Sequence, residues 1–155
     1  MNGVLTSIIA VCGTLAGSSL TYLFARLTAR RTEKTACEER LRQERIAAYA
    51  AFAGAMTELR QKVISLGLLR QRDPDGAETR AAYTEADRSG AAADHARFAV
   101  RLLTDDAELL RLADAAFEPI GAIREAADRA ELRELEDRSQ EILTAFVEAA
   151  GRRLR

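Results

Sequence analysis

Residues 49–66 read YAAFAGAMTELRQKVISL and indicate a helical fold. Large apolar side chains recur in this stretch in steps of three and four residues, which places them on one face of an α-helix. They are Tyr49, Phe52, Met56, Leu59, Val63 and Leu66. Good helix formers surround them, and no proline lies between Arg26 and Arg72. The stretch therefore predicts a long amphipathic helix whose apolar face contacts other helices.

A turn and a second helix follow. Residues 73–76, DPDG, combine a proline with fixed φ, a permissive glycine and aspartates that cap locally. A second helix is predicted over residues 77–103, because apolar and small residues continue in the same rhythm. Its seam consists of Ala82, Ala86, Ser89, Ala93, Ala96, Val100 and Leu103. Small side chains let helix axes approach closely, so we expect tight contact with the first helix.

The remaining sequence predicts two more helices and shows no alternating β-strand pattern. Thr104 is the expected cap of the third helix, which Pro119 should kink or break near Phe117. Asp128 is the expected cap of the fourth. Their seams are Leu109, Ala113, Ala116, Ile120, Ile123 and Ala127, then Leu132, Leu135, Ser139, Ile142, Phe146 and Ala149. The predicted fold is all-α, with an antiparallel bundle of about four helices over residues 46–155.

The amino-terminal segment has the pattern of a membrane span. Residues 2–25 contain no Asp, Glu, Lys or Arg. A helix of about 23 residues covers about 34 Å, enough for a bilayer core of about 30 Å. Basic residues follow at once, which favours an outside amino terminus and a cytoplasmic remainder at the bacterial plasma membrane. We predict a transmembrane helix over 1–25, a charged juxtamembrane helical stalk over 26–45 and a cytoplasmic bundle over 46–155; a cleaved signal peptide and a buried helix are the alternatives.

Two features around this segment are candidate sites. Gly13 and Gly17 form a GxxxG pair that permits close helix contact in lipid, which predicts a homodimer through the span; the alternative is that small residues are simply common in membrane helices. The basic cluster Arg26, Arg30, Arg31 and Lys34 could bind anionic lipid headgroups of the bilayer. Its role as a topology signal is sufficient by itself to explain it.

Composition argues against several classes of function. The net charge of −1, with charged residues at 30% and both signs mixed, lacks the positive field of a nucleic-acid-binding protein, so no direct nucleic-acid binding is expected. His95 is the only histidine, which leaves no multi-histidine metal site and no convincing catalytic triad. Cys12 and Cys37 are interpreted as small apolar residues. We expect no cofactor, no metal and no enzymatic activity.

Three stretches carry a family resemblance. They are residues 14–33, TLAGSSLTYLFARLTARRTE, residues 39–60, ERLRQERIAAYAAFAGAMTELR, and residues 111–117, RLADAAF. The chain resembles short actinobacterial single-span membrane proteins with a helical cytoplasmic region, most of which are uncharacterised, and its anchor portion is similar to that of KilB-type proteins associated with plasmid spread. The resemblance implies a link to DNA transfer at the membrane and transfers no functional residue.

Two principal hypotheses follow. The first is a noncatalytic, membrane-anchored helical adaptor or scaffold whose bundle binds a cytoplasmic protein partner, either as a monomer or as a dimer. The second is an accessory protein in conjugative plasmid transfer or spread. An enzyme with an unrecognised carboxylate site is a third alternative, which we disfavour because no convergent group of polar residues is evident.

Overall fold

The computed structural model describes the backbone of residues 2–126 and 128–155 and the side chains of residues 33–126 and 128–155. The helices are α1 (Asn2–Arg72), α2 (Ala77–Leu103), α3 (Ala107–Ala115), α4 (Glu118–Glu125) and α5 (Arg129–Leu154). No strand occurs among the described residues, which confirms the all-α prediction. By their internal contacts the residues form two units, Met1–Leu41 and Arg42–Arg155.

The described part of the first unit is a charged and exposed stretch of helix. All side chains of residues 33–41 are exposed. Lys34 Nζ lies 3.9 Å from Glu38 Oε1, one helical turn away. An exposed pair of this kind stabilises a helix by about 0.3–0.5 kcal/mol. The stretch is thus helical as expected, and its role as a stalk and the domain boundaries remain predictions.

The second unit is an antiparallel bundle in which α2 runs opposite to α1, α3 and α4 both run back in the direction of α1, and α5 runs opposite to them. The carboxyl ends of α2 and α5 lie beside the part of α1 that begins the unit, since Arg45 Nε donates to Leu103 O at 2.8 Å and Arg42 Nε to Leu154 O at 3.0 Å. The carboxyl end of α4 lies near the other end of α1, where Arg70 donates to the Arg124 carbonyl at 2.7 Å. The predicted antiparallel bundle is therefore confirmed.

The core of the bundle is formed by the predicted apolar faces. All six predicted seam residues of α1 are buried. On α2 the buried members of the seam are Ala86, Ser89, Ala93, Ala96 and Val100. The predicted close approach of α2 to α1 is visible at Gly90, where an added Cβ would lie 3.9 Å from Leu59 Cδ1. Small side chains on α2 thus face large ones on α1.

At several turns and helix caps, the local sequence was sufficient to predict where a helix begins or ends. The bounds of α2 agree with the prediction. Asp128 caps α5 by accepting hydrogen bonds from the amides of Ala130 and Glu131. The predicted break at Phe117 is also present, because α3 ends just before this residue and α4 begins just after it, with a proline in the first turn of α4.

The predicted cap of α3 was wrong by two residues. Asp106, and not Thr104, is the cap, and its carboxylate accepts a hydrogen bond from the Leu109 amide at 3.0 Å. The Thr104 hydroxyl instead accepts one from the Asp106 amide at 3.1 Å. The threonine therefore shapes the turn that presents Asp106 to the helix.

The prediction of a membrane span is corrected. Within residues 33–126 and 128–155, no helix is apolar enough over a sufficient length to cross a bilayer. The part of α1 after residue 33 cannot cross a bilayer because charged residues recur along it, such as Glu58, Arg60 and Lys62, which lie close together. This finding contradicts the transmembrane helix, the single-pass location in the bacterial plasma membrane and the orientation. The segment on which they rested, residues 1–25, lies outside the described side chains.

Candidate functional site

Most of the predicted site residues fall where side chains are not described. These residues are Gly13, Gly17, Arg26, Arg30 and Arg31. Lys34 is described and is exposed beside Glu38, as given above. The predicted dimer contact and the predicted lipid contact therefore lie outside the described residues, apart from this one lysine.

The bundle itself presents an apolar groove between α1 and α5. The groove has a volume of about 430 Å³. Its walls are Ile46, Tyr49, Ala50 and Ala53 from α1, and Phe146, Val147, Ala150, Gly151 and Leu154 from α5. These residues lie on adjacent turns of two antiparallel helices, which is why apolar and small side chains from distant parts of the sequence form one surface.

Aromatic rings fix the floor of this groove. The Phe146 ring lies 4.9 Å from the Phe52 ring and 6.0 Å from the Tyr49 ring, centroid to centroid, and both contacts are edge-to-face. Such pairs contribute about 0.5–1.5 kcal/mol beyond the area they bury. Because all three residues are buried, the floor is a rigid part of the core and not a loose surface.

A second hollow continues the groove along the same two helices. It has a volume of about 310 Å³ and shares Ala53 and Val147 with the first. Together the two follow residues 46–57 of α1 and 140–154 of α5. At about 1.5 Å per residue this is a length of about 17–21 Å. Ile46 is 40% exposed and Val147 51% exposed, so large apolar side chains at the groove remain uncovered.

Acidic residues border the groove on the α5 side. Asp137, Glu141 and Glu148 are all exposed and follow one stripe of the helix at steps of four and seven. Glu148 also lines the groove directly. On α1, the outer positions Gln43, Ala47, Gly54 and Gln61 are uncharged, and the exposed Glu58 follows the groove residue Thr57. The groove therefore has an apolar floor and carries more carboxylates on the α5 side than on the α1 side.

Arginines of α1 cap the carboxyl ends of the other helices. Arg42, Arg45 and Arg70 donate to terminal carbonyls of α5, α2 and α4 respectively. A guanidinium at this end of a helix satisfies carbonyls without helical partners and opposes the negative end of the helix dipole. These arginines are consequently engaged in holding the bundle together, which sequence spacing gave no means to predict.

Ion pairs fasten the short helix α3 to α2. Arg101 lies 2.6 Å and Arg97 3.5 Å from the carboxylate of Asp114, and Arg97 also pairs with Asp94 at 2.7 Å. The Arg97 guanidinium lies 4.6 Å from the centre of the Phe117 ring, at cation–π distance. Two carboxylates already balance this guanidinium, so the cluster is a structural clamp and not an anion site.

The other end of α3 is fastened to α5. Arg153 pairs with Asp106 and Glu108, and Arg152 lies 3.2 Å from Glu108. The hydrogen bond from the Leu109 amide, together with the Arg153 guanidinium, lowers the pKa of Asp106 below its ordinary value of 3.8, and partial burial opposes this shift. The carboxyl-terminal arginines thus link two helices.

The described residues offer little that is typical of a catalytic centre. Over residues 33–126 and 128–155, no three side chains among His, Cys, Asp and Glu are grouped so that they could hold a metal ion. His95 and Cys37 are both exposed. The groove between α1 and α5 is therefore the candidate functional site, and its chemistry is that of a binding surface.

Comparison with known proteins gives one informative result. The family model described as KilB plasmid transfer protein matches residues 46–154. No curated protein and no solved structure matches the chain. The matched residues include every lining residue of the groove and nearly all of the unit Arg42–Arg155. Since the match covers well over half of the 155 residues, the chain belongs to the KilB plasmid transfer protein family.

Proposed function

We propose that this protein is a noncatalytic accessory factor of plasmid transfer or spread that works as a helical scaffold for a protein partner. The observation that carries the proposal is the family match over residues 46–154. The matched region is the folded bundle with its groove, so the part that defines the family is also the part that could bind a partner.

The geometry of the bundle supports a scaffold. Many of its polar side chains are engaged within the fold: arginines cap helix ends, and other arginines pair with carboxylates of α3. The groove, by contrast, leaves Ile46 and Val147 partly exposed. Apolar surface that is open beside a rigid floor is typical of protein interaction sites.

A protein partner is favoured over nucleic acid by the charges at the groove. Glu148 lines the groove, Asp137 and Glu141 follow on the same stripe of α5, and the whole chain has a net charge of −1. Phosphate groups would be repelled by this border, whereas nucleic-acid affinity depends on basic contacts to phosphates. We therefore propose that any role in DNA transfer is indirect.

A transfer assay tests this function. The coding sequence is deleted in frame from a transferable plasmid, and transfer to recipients and later spread among them are measured. We expect transfer or spread to fall and to be restored by the wild-type protein in trans, while plasmid copy number in the donor stays unchanged. Transfer and spread both equal to those of the intact plasmid would refute the proposal, and a parallel fall in copy number would indicate a role in maintenance instead.

A further inference from the structure

We propose that the groove between α1 and α5 binds an amphipathic helix of a protein partner that carries Lys or Arg along one flank. The inference deepens the scaffold function proposed above, and it rests on that function for its biological role. The shape of the groove, its exposed apolar residues and the charges beside it support this inference.

The shape fits a helix. The groove runs between two antiparallel helices for about 17–21 Å, which matches three to four turns of an added helix. Ala50 and Ala53 on one wall and Gly151 on the other are small, so a third helix can come close to both. Ile46 and Val147 stand at the groove as partly exposed apolar side chains that such a helix would cover.

The charges select which helix fits. Glu148 lines the groove, and Glu141 and Asp137 continue its stripe along α5, whereas on the α1 side Glu58 is the exposed carboxylate next to the groove residue Thr57. A docked helix therefore gains most charge contact if its flank toward α5 is basic. Its flank toward α1 faces fewer carboxylates. The partner helix is thus expected to be asymmetric, with an apolar face and one basic edge.

A second copy of the chain is a poorer occupant of the same surface. Docked by this face, it would offer another set of the same carboxylates, including Glu58 on the α1 side. Like charges brought together at an interface disfavour association. Charge complementarity therefore favours a different, basic helix over self-association through the groove.

Two synthetic peptides test the binding chemistry with the full-length protein. Both are amphipathic helices with the same leucine face; one carries lysines along a single flank, and the other carries glutamates at the same positions. Fluorescence anisotropy should show binding of the lysine peptide that weakens with added salt, and binding of the glutamate peptide that is about tenfold weaker or more. Equal binding of both peptides, or binding of neither, would overturn the proposal.

Matched variants locate the site. An added Cβ at Gly151 meets no atom within 4 Å, and the same holds at Gly121 on α4. Gly151→Trp should fill the groove and weaken binding of the lysine peptide about tenfold, while Gly121→Trp should leave it unchanged. Equal effects of the two substitutions, or none from Gly151→Trp, would place the peptide elsewhere.

A charge-reversal pair separates local from general electrostatics. Glu141→Lys with Glu148→Lys removes two carboxylates of the acidic border, and Glu118→Lys with Glu125→Lys makes the same change in net charge at exposed positions of α4. We expect only the first pair to invert the preference toward the glutamate peptide. An equal change from both pairs would show that net charge alone governs binding and would contradict the assigned border.

The same variants distinguish this inference from the proposed function. Gly151→Trp and Gly121→Trp are compared in the transfer assay, alongside light scattering of the purified proteins. Peptide binding lost without any loss of transfer would refute the role of the groove in transfer and leave the binding site standing. A smaller particle for Gly151→Trp than for the wild type would instead identify a second copy as the occupant and overturn the proposal.

Discussion

The helix α3 and the contact between α1 and α5 are held by different forces. Four arginines fasten α3 at both of its ends, two from α2 and two from α5. The α1–α5 contact is formed by aromatic rings in edge-to-face contact and by small apolar residues. Although α3 buries Leu109, Leu112 and Ala113 in the core, a helix of nine residues is too short to be stable alone, which explains its additional caps and ion pairs.

The difference shows which side of the bundle is available to a partner. At α3 the carboxylates of Asp106, Glu108 and Asp114 pair with arginines of the neighbouring helices. Along α1 and α5 the aromatic rings pack against each other on the inner side, and the outer side remains apolar with an acidic border. The side stabilised by apolar contact is therefore also the side left open for binding.

The largest expected effect is loss of the aromatic floor. Phe146→Ala removes a fully buried ring that contacts both Tyr49 and Phe52, so the free energy of unfolding should fall by about 3–5 kcal/mol. Urea denaturation measures this. Phe98→Ala is the control, because that ring is 54% exposed, and it should lose only about 0.5–1 kcal/mol. Similar losses in the free energy of unfolding at both positions would show that the α1–α5 contact contributes no more to stability than an exposed ring does.

Disrupting the ion pairs that fasten α3 to α2 should lower the stability of the protein by a smaller amount. Arg97→Lys keeps the charge but loses the planar stacking on Phe117 and the fork that reaches both Asp94 and Asp114. We expect a decrease of about 1–2 kcal/mol in the free energy of unfolding. Arg88→Lys, in an exposed pair within α2, should change it by less than about 0.5 kcal/mol. An unchanged free energy of unfolding for Arg97→Lys would show that these ion pairs do not hold α3 in place.

The acidic cap of α3 should make the clamp sensitive to pH. The pKa of Asp106 is lowered in the folded protein, so its charge stabilises the fold fully above its ordinary value of 3.8, and this contribution disappears as the pH falls through the lower folded value. Thermal unfolding should therefore show wild type more stable than Asp106→Asn at neutral pH.

The difference in stability between wild type and Asp106→Asn should disappear at pH values below the pKa of Asp106 in the folded protein, because both side chains are then uncharged. Asp105→Asn provides the control, since the exposed Asp105 is adjacent in sequence and is not the cap of α3. A gap between wild type and Asp106→Asn that persists in acid would show that the carboxylate acts by shape and not by charge.

The smallest effect concerns glycines, and it tests whether the outer side of α1 is open. An added Cβ at Gly54 meets no atom within 4 Å, so Gly54→Ala should stabilise the protein by about 0.5–1 kcal/mol through helix propensity. At Gly76 an added Cβ would lie 2.5 Å from Asp73 Oδ2 and 3.3 Å from Asp73 O, and Gly76→Ala should be destabilising. Differential scanning calorimetry measures both, and a destabilising Gly54→Ala would mean that this side of α1 is covered.

Local chemistry made much of the fold predictable. The bounds of α2, the cap at Asp128 and the break at Phe117 each depend on residues within one or two turns, so the sequence pattern is sufficient there. The sequence did not determine which residue caps α3, because Thr104 and Asp106 can both accept an amide hydrogen bond. The structure gives each of them one such bond, and only Asp106 bonds to the helix.

The candidate site could not be predicted in the same way. A single seam of apolar residues identifies Tyr49 and Phe146 as core residues but does not indicate that Ile46 and Val147 stay partly exposed. On α5 the predicted seam also missed Leu143 and Ala150, which are buried. This helix contacts neighbours on two sides, so it buries a wider face than one seam. Such surfaces depend on which helices become neighbours, a property that local periodicity does not contain.

The arginine caps have a practical consequence for how this protein is shortened. Arg42 and Arg45 precede residue 46, where the family match begins. A fragment trimmed to that boundary would leave the last carbonyls of α5 and α2 without these donors. A fragment that keeps both arginine caps must therefore begin before residue 46, so it is longer than the region matched by the family model.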